Sequence, residues 1–417
     1  MKRVLMIAFH FPPFSGSSGV QRALSFARYL PRFGWEPLVL TAHPRAYERS
    51  SADLLADVPP GTIVERAFAL DSARHLALLG RYPAFAARPD RWVTWWLGAV
   101  PKALRMITKY QPDALWSTYP LATAHMVGHS VRRLSGLPWV ADFRDPMAQD
   151  GYPSDPKTWQ SFKRIEQQVI EDAHFSVFVT EGAARMYRER YPGATHASVR
   201  VIENGYDEES FVGLDHASED ASPLVPGAIT LLHSGVVYPS ERDPTQLFRA
   251  LRLLLDTGRL SSGELRLRLR APGHEDYLAG LIARYDVREI VELAPPLPHR
   301  SALQEMRRAD GLLVLQAANC NDQIPAKIYE YLRCRRPILA LTDPRGDTAG
   351  FLRKAGISDI AHLDSAEEIA SRMERFLEQL RLGAAARPDE ALVRAASRQE
   401  RTRALAELLE QLPERKV

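Results

Sequence analysis

Short apolar runs that end on polar or glycine-bearing loops, each followed by residues at helical spacing, constrain this chain more than any other feature. Residues 4–9 (VLMIAF) are rich in strand formers and run into the loop HFPPFSGSSG. A helical pattern starts near Val20, with Ala23, Leu24, Ala27 and Leu30 on the same face, and stops before Gly34, which suits a left-handed cap. Residues 37–40 (PLVL) supply the next run. Strand, crossing helix and strand in that order make a right-handed unit with parallel strands. The same logic recurs at residues 114–117, 139–142, 175–180 and 199–202, as a doubly wound sheet requires.

Beyond residue 206 the character changes. The stretch DEESFVGLDHASEDASPLVPG is acidic, aperiodic and bears Ser, Pro and Gly, the composition of a linker. The strand–helix rhythm then restarts at residues 229–232 and continues through 265–269, 290–293, 311–315 and 337–341. A chain of 417 residues is too long for one ordinary core, so two α/β domains joined near residue 215 are expected. The expected boundaries are 1–210, a linker at 211–227, 228–390, and a C-terminal helical segment at 391–417. In that segment residues 390–412 read as one long amphipathic helix.

Composition removes several classes of function. A hydrophobic share of 45% and a charged share of 25% are those of a globular protein, and a net charge of +3 gives no reason to expect a nucleic-acid partner. Cys320 and Cys334 make no disulfide framework and have no metal-ligand spacing, which points to packed or idle thiols in a reducing compartment. Lys2 and Arg3 before an apolar run mimic a secretory leader. His10, Pro12 and Pro13 interrupt that run and no small-residue cleavage site follows, so a first buried strand is expected. No stretch approaches the about 18 apolar residues of a membrane span.

Three segments could carry chemistry. In the first, Gly16 and Gly19 lie between a strand and a helix start, where backbone amides approach an anion; they could equally just turn the chain. The second, HSGVVYPSERDP at residues 233–244, ends a strand. There Gly235 permits close backbone approach and Arg242 could reach a phosphate with its planar fork, or sit in a solvated cluster with Glu241 and Asp243. The third, CNDQIPAKIYEYLRCRRPILAL, starts a helix near Pro325, with Tyr329 and Leu332 toward the core. Lys327 and Glu330 share one face of that turn, and Asp322 lies just outside it. Amides and Lys327 could hold a diphosphate while the Glu330 carboxylate accepts from a ribose diol; the plain alternative is an exposed ion pair.

In this order the segments resemble those of GT-B glycosyltransferases, specifically the retaining family 4 type. "PPFSGSSGVQRALSFARYLPRFGWEPLVLT" resembles its glycine loop and first helix, "VIENGYD" its interdomain turn, "HSGVVYPSERDP" its phosphate-binding basic loop, and "DQIPAKIYEYL" its E-x7-E region. The resemblance covers essentially the whole chain. It implies two Rossmann-like domains with parallel sheets facing each other across a cleft, an acceptor-side N-terminal domain and a nucleotide-sugar-binding C-terminal domain.

It also implies roles. Gly19 matches the second glycine of the N-terminal pair, with Ser18 at the first. Arg242 matches the residue on the donor diphosphate, and Lys327 a second phosphate cation. Glu330 matches the ribose ligand. Asp322 stands where the first Glu is usual, so the pattern is D-x7-E. Gly235, Ile324, Pro325 and Ala326 complete the donor site. At the N-domain strand ends, Arg144 and Asp145 of WVADFRD and His125 of WSTYPLATAH are further substrate-binding candidates, Arg144 standing where His is common. For His125 a packed histidine is the other reading.

The implied activity is sugar transfer from a nucleotide-diphosphate sugar to a glycan or lipid-linked acceptor in cell-surface polysaccharide assembly, with retention. No DxD occurs, so no metal is expected and no cofactor beyond the donor substrate. A non-catalytic GT-B-like scaffold and a hydrolysing nucleotide-sugar epimerase use the same cleft and are the alternatives. Residues 91–110 mix Trp92, Trp95 and Trp96 with Arg91, Lys102, Arg105 and Lys109. That mixture means either core tryptophans or peripheral membrane contact. The expected location is the cytoplasm, with the inner face of its membrane as the docking place.

Overall fold

The structure is a computed structural model, which describes residues 1–15, 19–77, 82, 84–193, 198–214 and 223–414. Two compact units emerge, one of Met1–Asn204 with Arg398–Val417 and one of Gly205–Ser397.

The first unit holds seven parallel strands: β1 Lys2–Ile7, β2 Trp35–Ala42, β3 Ile63–Ala67, β4 Ala114–Thr118, β5 Trp139–Arg144, β6 Phe175–Phe178 and β7 Val199–Val201. Their order is β3-β2-β1-β4-β5-β6-β7, so the winding reverses beside β1. In such sheets ligands favour the carboxyl ends at the reversal. Helices cover both faces, and buried apolar clusters lie on each. Gly34, at φ 85°, ends the first helical segment as expected of a left-handed cap.

Two details differ from the sequence reading. β3 (IVERA) has no apolar run because four of its five residues are only half-buried at the sheet edge. Val179 and Thr180 leave β6, since the Thr180 side chain accepts from Ala183 N (3.2 Å) and caps the helix Glu181–Arg190.

The second unit has β8 Ile229–Ser234, β9 Leu265–Arg270, β10 Val291–Ala294, β11 Gly311–Leu315, β12 Ile338–Leu341 and β13 Ile360–Ala361, in the order β10-β9-β8-β11-β12-β13. All pairings are parallel and the reversal lies between β8 and β11. β13, two residues long, is too short to register as a run.

The ends of the expected domains need correction. Phe211 and Leu214 are buried in the core of the second unit, so that unit begins before the proposed linker, whose residues 215–222 lie outside the described set. The long helix at 390–412 is two helices, Glu390–Ala395 and Arg398–Glu410, separated where Ser397 bridges Tyr206. Leu405, Leu408 and Leu409 pack with Leu24, Phe26 and Trp116, which makes the last helix part of the first unit's core rather than a separate segment.

The tryptophan-rich helix Thr94–Tyr110 faces inward. Trp95 is fully buried, and Trp92 and Trp96 pack on the same core. Their indoles donate to Ala46 O (3.0 Å) and Ser130 Oγ (2.9 Å). The indole N–H groups of the two partly buried rings are thus satisfied within the unit, as the core-packing reading expects. Among the described residues no helix is long and apolar enough to cross a membrane.

Candidate anion-binding site

The pocket of the second unit is built where β8 stops. Gly235 N donates to Arg270 O (2.8 Å), which carries the β8–β9 ladder one residue further. The backbone then turns at φ 132°, a conformation open to glycine. Val237 N donates to Pro272 O (2.7 Å) and Ser234 N to Tyr331 Oη (2.9 Å), so the turn is held from both sides. Arg242 follows on the next turn. Its Nη1 donates to Val236 O (2.7 Å) and its guanidinium lies over the Tyr238 ring (5.4 Å), which leaves it half-buried and oriented.

The opposite wall is the start of the helix Lys327–Cys334. Gln316 Nε2 donates to Cys320 O (2.9 Å) and Gln323 O (3.1 Å), and Thr348 Oγ1 donates to Gln323 O (3.0 Å), fixing the approach. Ile328 N donates to Pro325 O (3.0 Å) in a tightened first turn, and no side chain caps the helix end. Tyr329 and Leu332 are fully buried, which sets the rotation of the helix and puts Lys327 toward β8.

His233, Arg242, Leu313, Lys327, Ile328 and Tyr331 line the pocket with Pro325 and Ala326. The Lys327 side chain lies against Gly235: a Cβ there would stand 2.9 Å from Lys327 Cε. Among the described residues the Lys327 ammonium makes no hydrogen bond and no ion pair within 4.0 Å. Burial lowers its pKa, Glu330 opposes that shift, and Arg242 adds to it. A desolvated cation without a counter-ion, beside a second cation and an uncapped helix end, is a site for an anion.

Glu330 does not pair with Lys327. Its Oε1 lies 3.2 Å from His299 Nε2, leaving the second oxygen for another donor. Asp322 sits half-buried on the turn before the helix, and Ile324 is buried in the core. His233, passed over in the sequence reading, lines the pocket; its place two residues before Gly235 at a strand end was the available signal.

The remaining candidates lie in the first unit. Gly19 is the first residue of the helix Gly19–Tyr29 and is buried, while Gly16 and Ser18 lie outside the described residues. His125 is a packed histidine. It is 0% exposed, with Nδ1 2.8 Å from Ser117 Oγ and its ring 4.8 Å from that of Phe143, so its reading as a substrate ligand is corrected. Burial lowers its pKa to about 3.

Arg144, at φ 61°, and Asp145 end β5 in a strained left-handed turn after a bulge at Asp142/Arg144. Burial lowers the Arg144 pKa and raises that of Asp145. Arg22 holds the fully buried Asp142 with a two-pronged contact (Nε–Oδ2 2.8 Å, Nη2–Oδ1 3.1 Å). No sequence signal joins this pair, since 120 residues separate them. Arg242, Lys327 and Gly235 thus share one pocket, while Arg144, Asp145 and Gly19 belong to the other unit.

Comparison with known proteins follows the same lines. Residues 18–205 match the family model of the glycosyl transferase 4-like domain. D-inositol 3-phosphate glycosyltransferase of Kineococcus radiotolerans is 29% identical over 210 residues, covering 48% of this chain and 46% of that protein. The chain thus matches about half the length of that curated relative.

Among solved structures, the Anabaena protein HepE in complex with UDP aligns with a TM-score of 0.68 at 15% identity, over 99% of this chain and 100% of its own. Sucrose-phosphate synthase from Thermosynechococcus elongatus gives 0.61 at 14% identity over 98% and 96%. The trehalose 6-phosphate synthase of Burkholderia multivorans gives 0.62 at 13% identity over 98% of each chain. Two parallel α/β units aligned over whole chains show the GT-B fold. Within that fold, residues 18–205 are similar to the glycosyl transferase 4-like domain.

Proposed function

We propose that this protein transfers a sugar from a nucleotide-diphosphate sugar to a glycan or lipid-linked acceptor, with retention of configuration and without a metal, in cell-surface polysaccharide assembly. The observation that carries the reading is Lys327, a largely buried cation with no partner among the described residues, set with Arg242 at an uncapped helix start. When the bond to the sugar breaks, negative charge grows on the departing diphosphate. Two preorganised cations in a partly dry pocket stabilise that charge without reorganising. Glu330 keeps one oxygen for a ribose hydroxyl while His299 holds the other.

The glycosyl transferase 4-like domain supports the activity. HepE has been crystallised with UDP and with UDP-glucose, which supports the donor class. Two buried free cysteines fit a cytoplasmic location, with the inner membrane face as the place where a lipid-linked acceptor would be met. Arg144 and Asp145 are the groups we assign to the sugar side in the N-terminal unit, and Gly19 to the approach of the phosphates.

Titration calorimetry with UDP, GDP and ADP tests the reading. One of the three is expected to bind, and Lys327→Ala and Arg242→Ala are each expected to weaken binding by about tenfold to a hundredfold, the worth of a charge-assisted contact. Failure of all three nucleotides to bind the wild-type protein would overturn it.

A further inference from the structure

Besides the Lys327 ammonium, a buried polar atom of the anion pocket has no partner among the described residues. His233 is 5% exposed, its Nδ1 lies 3.0 Å from Leu313 O, and its Nε2 is buried with no hydrogen-bond partner among the described residues. A carbonyl only accepts, so Nδ1 carries a proton in either charge state and any change occurs at Nε2. The groups around the ring are few. Lys327 and Tyr331 face the pocket from the helix and Arg242 from the turn, while β11 offers the Leu313 carbonyl and the apolar Val314 and Leu315.

Among the protein's own groups, burial and then Lys327 and Arg242 disfavour a second proton, the Leu313 bond opposing them, and the ring is neutral with a pKa of about 3. An anion between the two cations reverses the local sign. It neutralises the charges that repel the proton and brings an oxygen that Nε2–H can donate to.

We propose that His233 is the third ligand of this site: a proton from solvent adds to Nε2 as a diphosphate enters, and the imidazolium donates it to a phosphate oxygen. The inference rests on the nucleotide reading of the pocket. It makes affinity depend on pH through a residue of the protein as well as through the phosphate. The site then gathers three cationic groups when occupied, yet holds only two when empty, which spares the free protein the cost of a third buried charge.

Calorimetric titration with UDP, GDP and ADP at pH 6, in two buffers of different ionisation enthalpy, counts the protons exchanged on binding. His233→Asn keeps an amide N–H for Leu313 O, and the nucleotide's own phosphate titrates alike in both proteins. The wild type is expected to take up about one proton more per nucleotide bound than the variant, and to lose its affinity advantage of roughly tenfold by pH 8.5. Nitrogen-15 spectra of histidine-labelled wild-type protein read Nε2 directly and need no variant. An unprotonated Nε2 at saturating nucleotide and pH 6, or equal proton counts in the two proteins, would overturn the proposal. Absence of binding to the wild type would instead defeat the nucleotide reading beneath it.

Discussion

Lys327 fills the space that a side chain at Gly235 would need: a Cβ built on Gly235 would lie 2.9 Å from Lys327 Cε. The pairing explains two sequence features together, a glycine at the end of β8 and a lysine at the start of the helix Lys327–Cys334. The glycine is required twice over, by that close approach and by its φ of 132°.

Gly235→Ala follows directly. The methyl must push the lysine from the pocket, and alanine at that φ costs about 1–3 kcal/mol of backbone strain. Thermal unfolding is expected to fall by a few degrees, and nucleotide affinity by roughly tenfold or more. Wild-type affinity in the alanine variant would show that Lys327 does not act from this position.

Lys327→Met separates function from stability. Methionine keeps the aliphatic length and removes a charge that has no partner, so binding is expected to drop by about tenfold to a hundredfold while stability at pH 7 holds or rises. The pH dependence has a definite sign. The folded pKa of Lys327 is lowered from the ordinary 10.5, so between the lowered value and 10.5 the unfolded chain binds more protons and wild-type stability gains as pH rises. Urea unfolding of both proteins from pH 7 to 10.5 should show this gain in the wild type and less of it in the variant.

The architecture was legible because buried parallel strands read as apolar runs, or as alternation with charged residues in β7 and β9, and eleven of the thirteen strands announce themselves in one of these ways. β3 and β13 escaped, one because its residues are only half-buried, the other because two residues form no pattern. Arg242, Lys327 and Gly235 were readable because each sits where a strand or helix ends, and Lys327 is rotated into place by its apolar neighbours Ile328 and Tyr329. Burial was not readable. His125 has the polarity of a ligand and the location of a core residue, and only the packing of Ser117, Trp139 and Phe143 distinguishes them. Likewise, nothing local to Arg398 or Leu405 says that the last helix belongs with residues nearly four hundred positions away.

His125 makes an acid-stability prediction. Its folded pKa is lowered to about 3 against 6.5 in the open chain. The stability it confers is therefore complete above 6.5 and declines as pH falls toward 3, by about 1.4 kcal/mol per pH unit while the unfolded chain alone is protonated. His125→Asn, which can keep a hydrogen bond to Ser117, is expected to be less stable at pH 7.5 yet to lose less on acidification. Urea unfolding at pH 7.5, 6 and 5 measures both; parallel slopes for the two proteins would refute the assignment.

The strand end that carries Arg144 and Asp145 is braced from behind by Glu166. This fully buried carboxylate accepts from Ala148 N (2.7 Å), Tyr191 Oη (2.8 Å) and Tyr187 Oη, and it pairs with Arg190 (3.0 Å). Tyr187 Oη in turn accepts from Met147 N (3.0 Å), and Arg190 donates to Ala148 O (2.6 Å). Glu166 and its partners thus hold Met147 and Ala148 of the loop after β5, and Trp159 Nε1 donates separately to Gln149 O (3.0 Å). Glu166→Ala strips the acceptor from two phenols, one amide and one guanidinium, and is expected to cost about 3–5 kcal/mol in urea unfolding, as for other broken buried pairs. Glu166→Gln keeps the shape and the acceptor for Ala148 N but loses the charge opposite Arg190, so a smaller loss of roughly 1–3 kcal/mol is expected. If Asp145 and Arg144 meet the substrate, the glutamine variant should also raise KM more than its stability loss explains, measured well below its unfolding temperature. An unchanged KM in a folded Glu166→Gln protein would leave the brace structural and remove the strand end from the binding surface.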